Sequence, residues 1–291
     1  MRFIDENKEL FGVEPICIVM QFAPSSFYLF KCKTVSKRKT IDDDLKETIL
    51  RIHQENYSVY GSRKMVIALN KEGISISRCK VIRLMHLLGI QGRSRSKRCV
   101  PKTTNRDLSQ QIPKDLINRD FSATRPNEKW FSDITYVKTL IGWVYVAFVV
   151  DCYSRMIIGW KAAYSMTTKI VIDALEAAIR LRLNDGKLLC NLIHHSDRGS
   201  QYLSFEYRHL LEQYSIKISS GSKGDSYDNA LIESLNGLYK TELIRNNEFT
   251  GLSQLQWETL NWVDWYNNRR IHSSINDMSP DEFEQQYYRM L

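Results

Sequence analysis

An α/β core with a mixed sheet, preceded by small all-helical units, is the fold class that the sequence predicts. Three observations carry it. Before residue 92, apolar residues recur at helical spacing. From about residue 126 the chain turns to β-branched and aromatic runs, Trp130 to Lys138 and Trp143 to Val150, bounded by turn residues such as Gly142. Beyond them, strand and helix patterns alternate, which is the order of an α/β sheet rather than of a bundle or sandwich.

Residues 1 to 36 read as a small helical segment. Ile16, Val19 and Met20 follow Pro15 at helical spacing, and Pro24-Ser25-Ser26 turns the chain into a helix start before Phe27-Tyr28. Residues 41 to 92 read as a helix–turn–helix domain. Leu45, Ile49 and Ile52 mark its first helix. Gly61-Ser62 opens the second, with Met65, Ala68 and Leu69 on one face and Gly73 at its end. Ser77 caps a third, whose stripe is Val81, Leu84, Met85 and Leu88, closed by Gly89. Arg78, Lys80 and Arg83 lie off that stripe, so exposed cations on a helix aimed at DNA are expected there.

A basic linker is expected over residues 93 to 125. From Gly73 through Arg106 there is no Asp or Glu, and Arg93, Arg95, Lys97 and Arg98 fall inside that run. A solvated linker is the ordinary meaning of a charge run. Its single sign, and its continuity with a DNA-facing helix, favour phosphate contact.

The α/β unit is expected over residues 126 to 291. Its elements are the two strands above, a third over Met156 to Ala162 and a helix from Thr167 to about Leu183. There follow a strand over Leu188 to His194, a helix over Phe205 to Tyr214 and a strand over Ile216 to Ile218. A Ser/Gly loop spans Ser219 to Asp225, and helices run from Asp228 to about Ile244 and from Leu252 to Asn268. The aromatic residues Trp257, Trp262, Trp265 and Tyr266 of the last helix read as packing.

Composition narrows the function. A net charge of +8 and a pI of 9.1 point to a polyanionic partner. The six cysteines form no Cys-x-x-Cys pair, so neither a zinc knuckle nor a disulfide scaffold is expected, and free thiols in a reducing compartment are. The start, MRFIDENKEL, is too charged for the apolar core of a signal peptide, and Trp143 to Val150 is too short to span a bilayer. A cytoplasmic protein is expected.

Three carboxylates stand at awkward positions. Asp133 lies mid-strand between Trp130-Phe131-Ser132 and Ile134-Thr135-Tyr136, where a lone carboxylate is costly unless it is paired or binds a cation. Asp197 follows a strand end, where α/β sheets place their ligands. Glu233 sits on a helix among Leu231, Ile232 and Leu235. Taken singly, Asp197 reads as a turn residue, Glu233 as a surface residue and Asp228 as a helix cap. Taken together, Asp133, Asp197 and Glu233 suit one hard-cation site. Phosphoryl transfer on DNA uses such a site, with two Mg²⁺ ions about 4 Å apart.

Four stretches now resemble the integrase core of insertion-sequence transposases of the IS-three type, relatives of retroviral integrases. They are Trp130-Phe131-Ser132-Asp133-Ile134-Thr135, Asp151-Cys152-Tyr153-Ser154-Arg155, His195-Ser196-Asp197-Arg198-Gly199-Ser200-Gln201-Tyr202 and Asp228-Asn229-Ala230-Leu231-Ile232-Glu233-Ser234. Thirty-five residues, positions 198 to 232, separate Asp197 from Glu233, the spacing of that group's third carboxylate. Tyr60-Gly61-Ser62-Arg63-Lys64, with Leu69-Asn70 and Gly73-Ile74, resembles the preceding helix–turn–helix. Tyr266-Asn267, Arg270, His272, Ser279-Pro280 and Phe283 resemble the C-terminal signature. One departure is Ser222, where many relatives carry a basic residue, beside Lys223.

The resemblance implies a ribonuclease-H-like fold with Asp133, Asp197 and Glu233 holding two Mg²⁺ (or Mn²⁺) ions. It places Lys240, two helical turns beyond Glu233, near the DNA end. It implies cleavage at the ends of an insertion sequence to free a 3′-OH, and strand transfer by that 3′-OH, with no covalent protein–DNA intermediate. The implied partners are double-stranded DNA, as terminal inverted repeats and target, a homo-oligomer on that DNA, and an upstream-frame DNA-binding chain or fusion. Two other functions compete: a catalytically silent DNA-binding regulator, which needs a missing carboxylate, and a ribonuclease-H-like nuclease, which cuts without joining. His194 and His195 invite a catalytic role, His195 by orienting Asp197; a packed histidine is the competing reading, and neither is counted as catalytic. Arg155 and Lys223 read as surface charges or phosphate contacts.

Overall fold

The computed structural model describes residues 1–32, 37–93, 113–221, 229–245 and 247–290. Arg95, Lys97, Arg98, Ser222, Lys223 and Asp228 lie outside them.

The chain begins with three short helices, α1 (Arg2–Phe11), α2 (Val13–Val19) and α3 (Pro24–Lys31). Ile4, Ile16, Cys17 and Phe27 close a small core between them. The first of these helices carries apolar residues at helical spacing, Phe3, Ile4, Leu10 and Phe11, but buries only Ile4.

Three longer helices follow, α4 (Lys37–Glu55), α5 (Ser62–Lys71) and α6 (Arg78–Leu87). Ser77 caps α6 by accepting from the Lys80 N–H, as expected. Gly73 and Gly89 take φ of 81° and 66°, the left-handed conformation that ends a helix cheaply only at glycine. Met65, Leu69, Val81 and Leu84 are wholly buried between the three helices.

The sheet has five strands: β1 (Lys129–Thr139), β2 (Gly142–Asp151), β3 (Ile157–Ala163), β4 (Ile193–Ser196) and β5 (Lys217–Ser220), in the spatial order β3-β2-β1-β4-β5. β1 pairs antiparallel with β2 and parallel with β4, so the sheet is mixed and β1 is its centre. Helix α7 (Thr168–Asn184) covers one face. It packs so closely on β3 that a Cβ at Gly159 would strike the backbone of Ala174 and Ala178. Two helices, α8 (Ser200–Leu203) and α9 (Phe205–Gln213), lie between β4 and β5. The other face carries α10 (Ala230–Tyr239), which runs into a π-helical turn (Lys240–Ile244), and then α11 (Leu252–Asn268); α12 (Pro280–Arg289) follows.

Two strand limits differ from expectation. The strand expected over Leu188 to His194 begins only at Ile193, because Asn191 has φ of 59° and turns the chain first. Ser219 and Ser220, expected in a loop, belong to β5 and pair with His195 and Ser196. Helix α12 was not read as a helix, although Ser279 and Glu282 form a full capping box at its start.

Arg182 of α7 is wholly buried between Glu284 of α12 (2.5 and 2.9 Å) and Asp151 at the end of β2 (3.3 Å). Lys187 adds a contact of 2.8 Å to Glu284. This buried network ties α12 to the sheet.

The helical unit packs directly on the catalytic unit. Trp265 of α11 is wholly buried against the rings of Tyr57 and Tyr60, at 4.8 and 6.4 Å, and its Nε1 donates to Asn56. Tyr60 Oη donates to Arg269 O and accepts from the Ile271 N–H. Arg93, expected in a linker, donates instead to the carbonyls of Thr241 and Glu242. Leu116 N–H donates to Ser219 Oγ and Ile117 is buried, so residues from 113 onward also lie against the core.

Candidate active site

The parallel ladder between β1 and β4 pairs Ser132 with Ser196. Asp133 and Asp197 are the next residues of the two chains, so neighbouring strands deliver two carboxylates to one place. Asp133 Oδ1 accepts from the Ile134 N–H at 2.8 Å, and its Oδ2 accepts from Asn236 Nδ2 at 2.8 Å. Asp197 Oδ1 accepts from the Gly199 N–H at 2.9 Å.

The electrostatics of the pair are unfavourable. Burial, and then the charge of Asp197, push the Asp133 carboxyl up to about 8. The protein packed round Asp197 raises it as well, although its side chain keeps solvent contact, and the Gly199 N–H opposes the rise. Glu233 is raised by desolvation on α10 and keeps its side chain open to solvent. Its charge contributes to the rise at Asp133, so it lies within electrostatic reach of the pair.

Helix geometry places three site residues on one face of α10: Glu233, Asn236 three residues on, and Lys240 four further. Asn236 was not foreseen, although this spacing announces it. Lys240 Nζ lies 4.4 Å from the ring centre of Tyr136 on β1. Burial lowers the Lys240 ammonium, and the charge of Asp133 opposes that.

Among the described residues no three His, Cys, Asp or Glu side chains stand close enough together to cage a metal ion. Asp133 and Asp197 are brought together by the ladder, and Glu233 lies within electrostatic reach of Asp133 without closing the set. The donors are all carboxylate oxygens, destabilised first by burial and, at Asp133, also by the charges of Asp197 and Glu233, which is the chemistry a hard divalent cation relieves.

The two histidines have separate surroundings. Ser132 Oγ and Tyr207 Oη lie 2.7 and 3.1 Å from His194 Nε2, and burial lowers His194 to about 3, which keeps it neutral. His195 Nδ1 is 2.8 Å from Ser219 Oγ, and its ring packs on Phe131. Its Nδ1 bond therefore goes to β5 and not to Asp197. Tyr202 is buried beside Gly199, its hydroxyl without a hydrogen-bond partner among the described residues.

The expected DNA contacts divide. Arg78 is exposed and donates to Ser62. Lys80 and Arg83 both turn onto Asp42 of α4, at 3.0 and 2.6 Å, so their charge is already partly neutralised. A three-to-one spacing from Val81 could not reveal this, because Asp42 is almost forty residues earlier.

The mixed sheet and its helices form a ribonuclease-H-like integrase core, and the chain is an enzyme of the polynucleotidyl transferase type. A family model described as "Integrase core domain" matches residues 123–226, and a second of the same description matches residues 214–280. An "HTH-like domain" matches residues 40–98. The transposase of insertion sequence element IS986/IS6110 from Mycobacterium tuberculosis is 45% identical over 92% of this chain and 97% of its own length. The transposase of IS629 from Shigella sonnei is 41% identical over 99% of this chain and 96% of its own. The transposase InsF of IS3A from Escherichia coli is 30% identical over 97% of each. The HTLV-2 integrase catalytic core domain aligns over 56% of this chain and 99% of its own, at 21% identity and a TM-score of 0.44. The chain belongs to the insertion-sequence transposases of the family that includes these three relatives. No helix among the described residues is long and apolar enough to cross a membrane.

Proposed function

We propose that the chain cuts DNA at the ends of an insertion sequence and transfers the freed 3′ ends to a target, using Asp133, Asp197 and Glu233 with two Mg²⁺ (or Mn²⁺) ions. The observation that carries this reading is the placing of Asp133 and Asp197 side by side at the Ser132–Ser196 step of the ladder, with Glu233 of α10 within electrostatic reach of Asp133.

The carboxylates would hold the cations, which supply Lewis acidity to the attacking and leaving oxygens of an in-line displacement. The chain's own residues do the rest. Asn236 and the Ile134 N–H fix both oxygens of Asp133, so its rotamer is set before substrate arrives. The Gly199 N–H fixes Asp197 in the same way. Lys240 carries positive charge to the edge of the site, where a phosphodiester must sit. Water attacks the phosphodiester at the element's end, whose 3′ oxygen leaves as a 3′-OH while the phosphate stays on the flanking 5′ end; that 3′-OH attacks a second phosphodiester, whose own 3′ oxygen leaves as a hydroxyl, and no side chain becomes bonded to DNA. The DNA partner is duplex, terminal inverted repeat and target, held with help from Arg78, Arg93, Arg95, Lys97 and Arg98. Two ends must be processed, so a homo-oligomer assembles on the DNA, alone or with an upstream-frame chain, in the cytoplasm.

The test is a strand-cleavage and joining assay on duplexes that carry the element's own ends, with Mg²⁺. Wild type should nick and join. Asp133→Asn should do neither while keeping its circular dichroism spectrum and duplex binding. Joining by Asp133→Asn would sink the assignment, and cutting without joining by wild type would make the chain a nuclease.

A further inference from the structure

Two cavities lie along the seam between the helical unit and the core, of ≈ 420 and ≈ 410 Å³. They share Lys64, Leu238 and Arg270, so they are neighbours in one groove. Its lining is far from average. Among the described residues Arg63, Lys64, Arg78, Arg93, Arg155 and Arg270 line it against a single carboxylate, Glu242. The whole chain holds 41 Lys and Arg to 33 Asp and Glu. Glu242 is itself matched by Arg270, at 2.5 Å. A net positive groove remains, and Ser62, Ser234, Ser273 and Ser274 add hydroxyl donors to it.

The backbone is built to bring these cations together. A Cβ on Gly92 would come within 2.5 Å of Gly61 Cα and 2.6 Å of Gly61 N. Only glycine allows the chain leaving the helical unit to cross the start of α5 that closely. The crossing sets Arg93 beside Arg63, and the Arg93 bonds to Thr241 and Glu242 hold it there. Of the three cations on α6, Arg78 alone lines the groove, while Lys80 and Arg83 are turned to Asp42.

The groove and the carboxylates use different faces of α10. Leu231, Ser234, Leu235 and Leu238 line the groove; Glu233, Asn236 and Lys240 belong to the opposite side of the same helix. One straight strand cannot touch both faces at once.

We infer that this seam grips the backbone of a DNA duplex through phosphate contacts from Arg63, Lys64, Arg78, Arg93 and Arg155, at a segment distinct from the phosphodiester being cut. The proposal rests on the DNA-acting function above. Guanidinium groups mixed with serine hydroxyls are the contact set of phosphate oxygens, and they carry register and affinity rather than sequence.

The experiment measures binding of the full chain to a fluorescein-labelled duplex of unrelated sequence as KCl is raised. Each lost phosphate contact lowers the slope of log K against log salt by about 0.9. Arg63→Ala/Arg78→Ala should therefore lower it by about 1.8 and leave Tm unchanged, since both side chains are exposed. Lys80→Ala/Arg83→Ala should lower it less, because Asp42 already neutralises them. Arg63→Gln/Arg78→Gln checks that the loss follows charge and not side-chain bulk. Hydroxyl-radical footprinting on a duplex with an element end should show the protection lost in Arg63→Ala/Arg78→Ala to lie away from the cut phosphodiester. An unchanged slope in that variant overturns the proposal, as does a larger loss from Lys80→Ala/Arg83→Ala. Protection lost at the cut phosphodiester overturns the separation from the cut site. A wild type that shows no salt-dependent duplex binding would sink the DNA reading itself, a different result from any of these.

Discussion

Asn236 Nδ2 donates to Asp133 Oδ2 at 2.8 Å, which ties α10 to the central strand through a carboxylate of the site. The bond joins the helix that carries Glu233 to the strand that carries Asp133, so the spacing of two candidate ligands depends on a third residue.

Asn236→Ala should therefore weaken divalent-ion binding by about 10- to 100-fold, the usual effect of removing a partner behind a ligand. Titration calorimetry with Mn²⁺ reads this directly, and strand cleavage should need correspondingly more metal. An unchanged affinity would reduce Asn236 to a packing role.

Asp42 is held down to about 2 by Arg83 and then by Lys80. A folded value below the ordinary 3.8 adds stability that is present above pH 3.8 and is lost as the pH falls towards 2. The Tm gap between wild type and Asp42→Asn should be constant at neutral pH and close between pH 4 and 2. The same variant frees Lys80 and Arg83, so it should bind duplex more tightly at low salt. A gap that persists at pH 2 would remove the ion pairs as its cause.

Arg182→Met leaves Asp151 without its guanidinium in a wholly buried place, and leaves Glu284 to Lys187 and Ser154. Breaking one side of such a network costs about 3–5 kcal/mol. Urea denaturation should show a loss of that size. A change below about 1 kcal/mol would mean that water reaches the site and replaces the lost partner.

Gly159→Ala drives a methyl group into the backbone of α7, which cannot shift without leaving the sheet. The expected cost is about 1–3 kcal/mol. Thermal denaturation should show it, while duplex binding at a temperature well below Tm should be unchanged.

Much of the fold was legible because periodicity and turn residues are local. The limits of β2, α7 and α11 fall within a residue or two of the expected ones, where β-branched runs or helical stripes end at glycine or asparagine. Elements without such patterns were missed. Helix α8 is four residues long, too short to show a stripe. The strand before His194 was drawn too long, because Leu188 to Leu192 is apolar enough for a strand but Asn191 turns the chain.

Sequence alone determined the candidate residues: Asp133, Asp197 and Glu233 were named from strand position, turn position and a 35-residue gap, all properties of one dimension. What only the tertiary structure decided is which charges meet. The β1–β4 register sets Asp133 beside Asp197 and raises it; a contact across 41 positions joins Arg83 to Asp42; and the Gly61–Gly92 crossing gathers arginines from two units into one groove. Electrostatic energy depends on distance through space, and residues far apart in the chain acquire that distance only when it folds.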